Sequence, residues 1–444
     1  MSKRKRYILI CICTFLLSCS SDDSENNEQN FEVSSIKTFG GTKNESGNKV
    51  IRTNDGGYAV IGYTQSNDGD IENKIDESFD YWLLKFDLNN QLQLSKTYGG
   101  NSNDRASDII QTSDNGFALI GFSFSNDGNV TSNAGIQDFW LIKLDTSGDI
   151  SWEKSFGFSG LDRGISIIET NDNGYLLIGE LDVTASGGEG NSKYFTSKGH
   201  AGGDYWAIKL DSYGNKQWSK FYGGTFTDTP NDVVQTIDNN YIIVGSSDSV
   251  DVDITNNKGS YDFWVIKISE TGSLIWEKSF GGTEIDKAYG ITTTNDGNYL
   301  IIGDTRSSDQ DVSNNYGAAD LWLIKITPNG DLLWDKSLGG SNFDSGSAIS
   351  KTHDGSFILS GNSRSSNGNL TENEGQNDAW IIKIDLNASI EWQKTIGGTE
   401  IDFTNDVTQL NGGTYVAIGE TSSSNQDITE NKGFSDLLII TINE

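Results

Sequence analysis

Residues 260–303 read SYDFWVIKISETGSLIWEKSFGGTEIDKAYGITTTNDGNYLIIG, and recognisable copies of this stretch account for nearly all of the chain beyond residue 33. The glycine that closes W-x-K-[ST]-[FYLI]-G recurs at Gly40, Gly99, Gly157, Gly223, Gly281, Gly339 and Gly397, spaced by 58 or 59 residues except for one interval of 66. Eighteen residues after each marker stands an aromatic (Tyr58 in the first copy, Tyr415 in the last), and 22 after it a second glycine (Gly62 to Gly419). Offsets held this closely mean that each copy is one supersecondary unit, which buries its apolar faces by stacking on its neighbours.

Each copy reads as four strands; in the fifth these are predicted at Lys287–Thr294, Asn298–Gly303, Asp320–Thr327 and Leu332–Leu338. Runs of six to eight residues, rich in aliphatics, Thr and Trp and bounded by turn residues, are too short for helices. T-x-D-G-[GN]-[YF] joins the first two strands and D-x-x-G-x the last two, both tight hairpins with Gly or Asn supplying positive backbone angles. The sequence therefore predicts an all-β protein, a seven-bladed β-propeller with four antiparallel strands per blade. It opens on a lone fourth strand (Ser34 to Phe39) and ends on a third (Asp436 to Ile442), so the N-terminal strand is expected to close the last blade. The eleven tryptophans fall in two columns, D-x-W of the third strand and W-x-K of the fourth, as filling between blades.

Residues 1–18 read as a signal peptide, with basic residues at Lys3 to Arg6, an apolar run from Tyr7 to Leu17, and Ser18 before Cys19. Leu16-Leu17-Ser18-Cys19 resembles the bacterial lipobox, which implies a Cys19 carrying palmitate-type acyl chains and a membrane anchor. Residues 19–33 form an acidic polar tether, and 34–444 the propeller. The start of the tether is similar to the surface-export signal of Bacteroidota-type lipoproteins, which implies an outer-membrane protein exposed at the cell surface. All three cysteines lie at or before residue 19, so the propeller has no thiol chemistry. The net charge of −31, taken to −35 by removal of a signal with four basic residues, excludes nucleic acid as a partner. A monomer is expected.

The connections between second and third strands and between blades are long and leave from one face, where function is to be sought. There an acid follows every marker by five residues: Glu45, Asp104, Asp162, Asp228, Asp286, Asp344 and Asp402. These could ring the channel mouth and attract a cation; the favoured reading is that each caps its own loop. Acids at i and i+2, notably Asp68 and Asp70, Asp251 and Asp253, and Asp309 and Asp311, have the alternation of calcium ligands, so calcium is the candidate cofactor, against a preferred reading as Asx-turns. Mid-strand lysines (Lys85, Lys143, Lys209, Lys267, Lys325, Lys383) are read as ion-paired, four of them with an Asp two residues on. The third copy alone inserts a Gly-rich segment, and from it Tyr194, Phe195, Lys198 and His200, with Asp162, Arg163 and Arg105 nearby, form the candidate ligand site. No catalytic residue can be assigned: no nucleophile motif is present, and two histidines in unlike contexts do not make a zinc site.

LDTSGDISWEKSFG (Leu144 to Gly157) resembles the tandem propeller repeats of secreted bacterial lipoproteins and is similar to the L-D-x-x-x-G-x-x-x-W repeat of quinoprotein dehydrogenases. The second resemblance implies eight blades and a calcium–quinone pocket, none of whose residues is matched here. The expected function is a non-catalytic binding or scaffold module taking a glycan or protein ligand through the long-loop face. The alternative is a polysaccharide-active enzyme or a quinone-dependent oxidoreductase.

Overall fold

The structure, a computed structural model, describes residues 31–186 and 199–444. It contains seven four-stranded antiparallel sheets, six of them meanders of consecutive strands and the seventh joining the first strand of the chain to the last three. Blades 1 to 6 span residues 45–98, 104–156, 163–222, 228–280, 286–338 and 344–396. Blade 7 combines 402–443 with the N-terminal strand Glu32–Phe39, which pairs antiparallel with Asp436–Asn443. That strand begins two residues before the expected Ser34, because Phe31 stacks on Trp392 at 4.8 Å and anchors its start. In blade 5 the strands are Asp286–Thr293, Tyr299–Thr305, Asp320–Ile326 and Leu332–Leu338, within two residues of expectation. The signal peptide and Cys19 lie outside the described residues.

Hydrophobic clusters fill all seven blade junctions, the last of them joining blade 7 to blade 1 through Ile418, Leu437, Val60 and Trp82. Third-strand tryptophans Trp82, Trp140, Trp264, Trp322 and Trp380 are fully buried. Each keeps its indole N–H satisfied by a side chain of its own fourth strand, as Trp140 donates to Glu153 (2.9 Å) and Trp380 to Gln393 (3.0 Å). Fourth-strand Trp152 and Trp218 instead cover the next blade's hairpin between third and fourth strands, where Gly214 and Gly272 adopt φ of 76° and 77°.

The seven acids after the markers are all fully buried. Asp162 accepts N–H bonds from Phe158 (2.7 Å) and Asp182 (2.8 Å), and Asp286 accepts from Gly282 N–H (2.7 Å) and the Ser307 hydroxyl (2.9 Å). The capping reading is therefore the one realised, and no acid ring stands at the channel mouth. Facing each acid is the first residue of the preceding blade's third strand, as Asp138 faces Asp162 and Asp262 faces Asp286, set side by side by short parallel bridges such as Gln137 to Leu161. The marker glycine lies beneath both carboxylates, which is why no side chain is tolerated there.

The mid-strand lysines are ion-paired, but not with the expected partners. Lys143 reaches Asp114 (2.8 Å), Lys209 Asp172 (2.9 Å) and Lys325 Asp296 (2.8 Å), each the Asp of the first hairpin. The Asp two residues on, such as Asp145, caps its own turn through the Ser147 and Asp149 amides. The flexible ammonium stem reaches further than a same-face neighbour, and the turn amides satisfy the nearer acid first. Among the described residues no helix is long and apolar enough to cross a membrane.

Candidate ligand site in the axial channel

The first strands of all blades pack around the axis. Each carries a bulge opposite its second strand, at Asn48, Ser107, Ile165, Asn231, Tyr289, Ser347 and Asn405. The second glycine of the repeat is required there, because a Cβ on Gly303 would lie 1.9 Å from the Lys287 carbonyl and 2.7 Å from the Phe263 ring of the preceding blade. A bulge bends the strand and re-aims the extra residue. Here it turns one side chain per blade toward a channel cavity of about 650 Å³, within the range of small-ligand sites.

The bulge residues are tied across junctions: Asn48 donates to the Ala106 carbonyl (2.6 Å), Ser107 to Gly164 (3.0 Å) and Asn405 to Gly47 (2.8 Å). The next residue along is an acid in three blades. Asp108 accepts from the Ile167 amide (2.9 Å) and the Ser166 hydroxyl (2.8 Å), Asp232 from the Val233 (2.8 Å) and Ile291 (2.9 Å) amides, and Asp406 from the Val50 amide (2.9 Å). Lys49 occupies the same position in blade 1, with its ammonium 3.4 Å from Asp406. Burial opposes its charge, but Asp406, Asp108 and Asp232 together more than offset that and hold it protonated well above its ordinary range. Burial pushes Asp232 up to about 6 against the pull of Lys49. These carboxylates staple blades together through backbone amides, the Ser166 hydroxyl and the Lys49 ammonium.

Toward the long-loop face the cavity opens past Phe343, Asn362, Arg364, Asn377 and Phe403. Arg306 and Arg364 both stand by the Phe343 ring, each guanidinium 5.8 Å from its centroid. Asp304 lies beside them, only 3% exposed. Burial raises it to about 6, while Tyr289 and the nearby Arg306 and Lys287 favour its charged form.

Of the residues singled out from sequence, Arg105 and Arg163 stand at this face. Arg105 lies 3.9 Å over Phe79 and 4.8 Å over Tyr63, and Arg163 is 3.8 Å from Glu180. Asp162 is a fully buried cap that accepts the Phe158 amide. His200 lies 2.5 Å from Asp204 and edge-on to Phe221 at 4.8 Å. Its ring stands in for the amide that caps the equivalent acid elsewhere, as Lys258 N–H does for Asp262 (2.6 Å). Burial lowers the imidazole, but Asp204 more than offsets it, so His200 is raised. Tyr194, Phe195 and Lys198 lie outside the described residues. Asp68, Asp251 and Asp309 accept from Thr42 (2.8 Å), Thr225 (3.1 Å) and Thr283 (2.9 Å) amides, Asp70, Asp253 and Asp311 from Gly40, Gly223 and Gly281. These acids pin loops together, and among the described residues no group of three or more His, Cys, Asp or Glu is placed to hold a metal ion.

The chain is thus a closed seven-bladed β-propeller with an asymmetrically lined axial cavity. No protein-family model and no curated protein matches it. Solved structures with some likeness include a protein of unknown function from Bacteroides caccae (14% identity, 63% of this chain and 78% of that one, TM-score 0.36). Another is puromycin hydrolase (10% identity, 86% of this chain, TM-score 0.48), of which the chain spans 51%, about half the length. A third is the PQQ-bound aldose sugar dehydrogenase of Streptomyces coelicolor (11% identity, 92% and 98%, TM-score 0.37). These likenesses carry no statement about activity.

Proposed function

We propose that the protein is a non-catalytic binding module that takes a glycan end into the axial channel from the long-loop face. The supporting observation is the channel lining, whose bulge column varies among blades (Asn, Ser, Ile and Tyr) where the marker glycines and their acids repeat. Amides (Asn231, Asn362, Asn405) and aromatics (Tyr289, Phe343, Phe403) converge on one cavity, offering hydrogen bonds for hydroxyls and flat faces for sugar rings. The carboxylates that a hydrolase would use are committed to holding blades. A glycan array with wild-type protein and with Phe403→Ala tests this: binding without turnover that the variant loses is expected, and release of product from a polysaccharide panel would overturn it. A protein pulled down from the native surface, in place of any glycan, would also overturn it.

The lipobox-like Leu16 to Cys19 supports a second element of the reading, a protein acylated at Cys19 and held on the outer membrane at the cell surface. Cys19→Ser is expected to move the propeller to the soluble fraction with its melting unchanged; retention in the membrane would refute the anchor.

A further inference from the structure

We infer that the ligand carries a carboxylate, and specifically that it is the acidic end of a uronate-containing glycan, read by Arg306 and Arg364 beside Phe343. The inference rests on the binding reading above and adds the ligand's charge. Arg306 and Arg364 occupy equivalent positions in consecutive blades, 25 residues after Gly281 and Gly339, where the other blades carry Gln65, Phe124, Asp182, Asp248 and Ser422. Only this sector therefore places a base in that column. The two guanidiniums each lie 5.8 Å from the centroid of one ring, both residues are exposed, and neither has an ion-pair partner within 4.0 Å among the described residues.

The charge of Arg306 favours ionised Asp304, yet no ion pair within 4.0 Å joins Asp304 to either arginine. Asp304 is buried beneath, where it accepts from the Ser345 hydroxyl (3.4 Å) and is shared with Tyr289. Glu400 interacts with Gln376 (3.0 Å). In a chain of net charge −31, two exposed arginines without ion-paired carboxylates, one of them (Arg364) lining the channel cavity, place positive charge at the long-loop face. Guanidinium groups recognise carboxylates through paired N–H bonds, and an aromatic beside them suits the face of a pyranose. The overall charge repels a long polyanion, so a single acidic residue at a chain end fits better than an internal stretch. Lys49, deeper in the channel, is held by Asp406 and adds no free charge to the mouth.

The test uses trigalacturonate, its methyl ester and maltotriose, measured by calorimetry at low and at physiological salt. Trigalacturonate is expected to bind at least roughly tenfold more tightly than the methyl ester, a preference typical of charge-assisted bonds. The preference should shrink with salt and disappear in Arg306→Gln/Arg364→Gln, whose exposed positions leave melting unchanged. Equal or tighter binding of the ester or of maltotriose would overturn the carboxylate inference while leaving the glycan reading standing. Failure of all three probes in a protein that binds a glycan on the array would likewise overturn it, whereas failure on the array as well would remove the glycan reading itself.

Discussion

Gly157 and Asp138 share one space: a Cβ on the glycine would stand 2.2 Å from Asp138 Oδ1 and 3.0 Å from Asp162 Oδ2. Gly157→Ala must push one carboxylate off its amides, either the Ala134 N–H held at 2.6 Å or the Phe158 N–H at 2.7 Å. Overpacking of this kind costs about 1–3 kcal/mol, read as a melting point lower by several degrees. Unchanged melting would mean that the loop relaxes without loss.

The facing carboxylates make the propeller an acid-favoring fold. Burial, with repulsion from the facing acid, raises Asp80 and Asp262 to about 7 and Asp162, Asp320, Asp378 and Asp436 to about 6, from an ordinary value of 3.8. Folding therefore takes up protons between about pH 4 and 7, and the stabilisation present below pH 3.8 is lost as pH rises through 6 to 7. The hairpin aspartates do not cancel this. Burial of Asp114 and Asp354 is outweighed by their lysines and Thr112 or Thr352, which hold both at about 2. Melting is expected to be higher at pH 5.5 than at pH 8.5 by about 5 °C or more; a rise with pH would show that the pairs are neutralised by something other than protons.

Lys383 is the most enclosed of the six hairpin lysines, with no exposed side-chain surface, and binds Asp354 (2.8 Å), Glu391 (3.4 Å) and Glu444 (2.6 Å). Lys383→Met removes the cation shared by three carboxylates, which keep Thr352, Ser356 and Tyr415 as partners, and is expected to cost about 1–3 kcal/mol. Lys267→Met, which takes the cation from Asp238 alone, at the surface, is expected to cost less. Equal denaturant midpoints for the two variants would contradict the network.

Chains beginning at Phe31 and at Gly40 separate tether from closure. The shorter one loses Val33, Ile36 and Phe39, which pack on the junctions either side of blade 7, and exposes the edge of Asp436–Asn443. Its stability is expected to fall by about 5 kcal/mol or more, a large share of a typical total. Matching melting curves would refute closure by this strand.

The architecture was legible because its signals are local and repeated seven times. The spacing from Gly281 to Tyr299 and the hairpin at Asn295-Asp296-Gly297 each state a turn or a strand on their own. The pairing of Lys143 with Asp114 was not legible, since the two-residue period of a strand points to Asp145 and the sheet brings in the more distant hairpin. The channel site was hidden for a different reason. Columns that repeat, such as the acid of Asp162, build blades, whereas the site lies in columns that vary, running Asn48, Ser107, Ile165, Asn231, Tyr289, Ser347, Asn405. A bulge was needed to show that this column faces the axis. What the sequence did offer was the departure itself: Tyr289 is the one aromatic in that column.

The closing strand also gives the molecule a heading. Fourth strands start at the tight-hairpin face and run toward the long-loop face, so Glu32 emerges from the side opposite Phe343 and Arg364. The chain therefore enters the ring at the face opposite the channel mouth. A pull on the entering chain is borne first by the hydrogen-bonded ladder between Glu32–Phe39 and Asp436–Asn443, loaded from its Glu32 end. The same strand that completes the ring thus sets which face lies opposite the N-terminal end and is the first element to bear a load applied there.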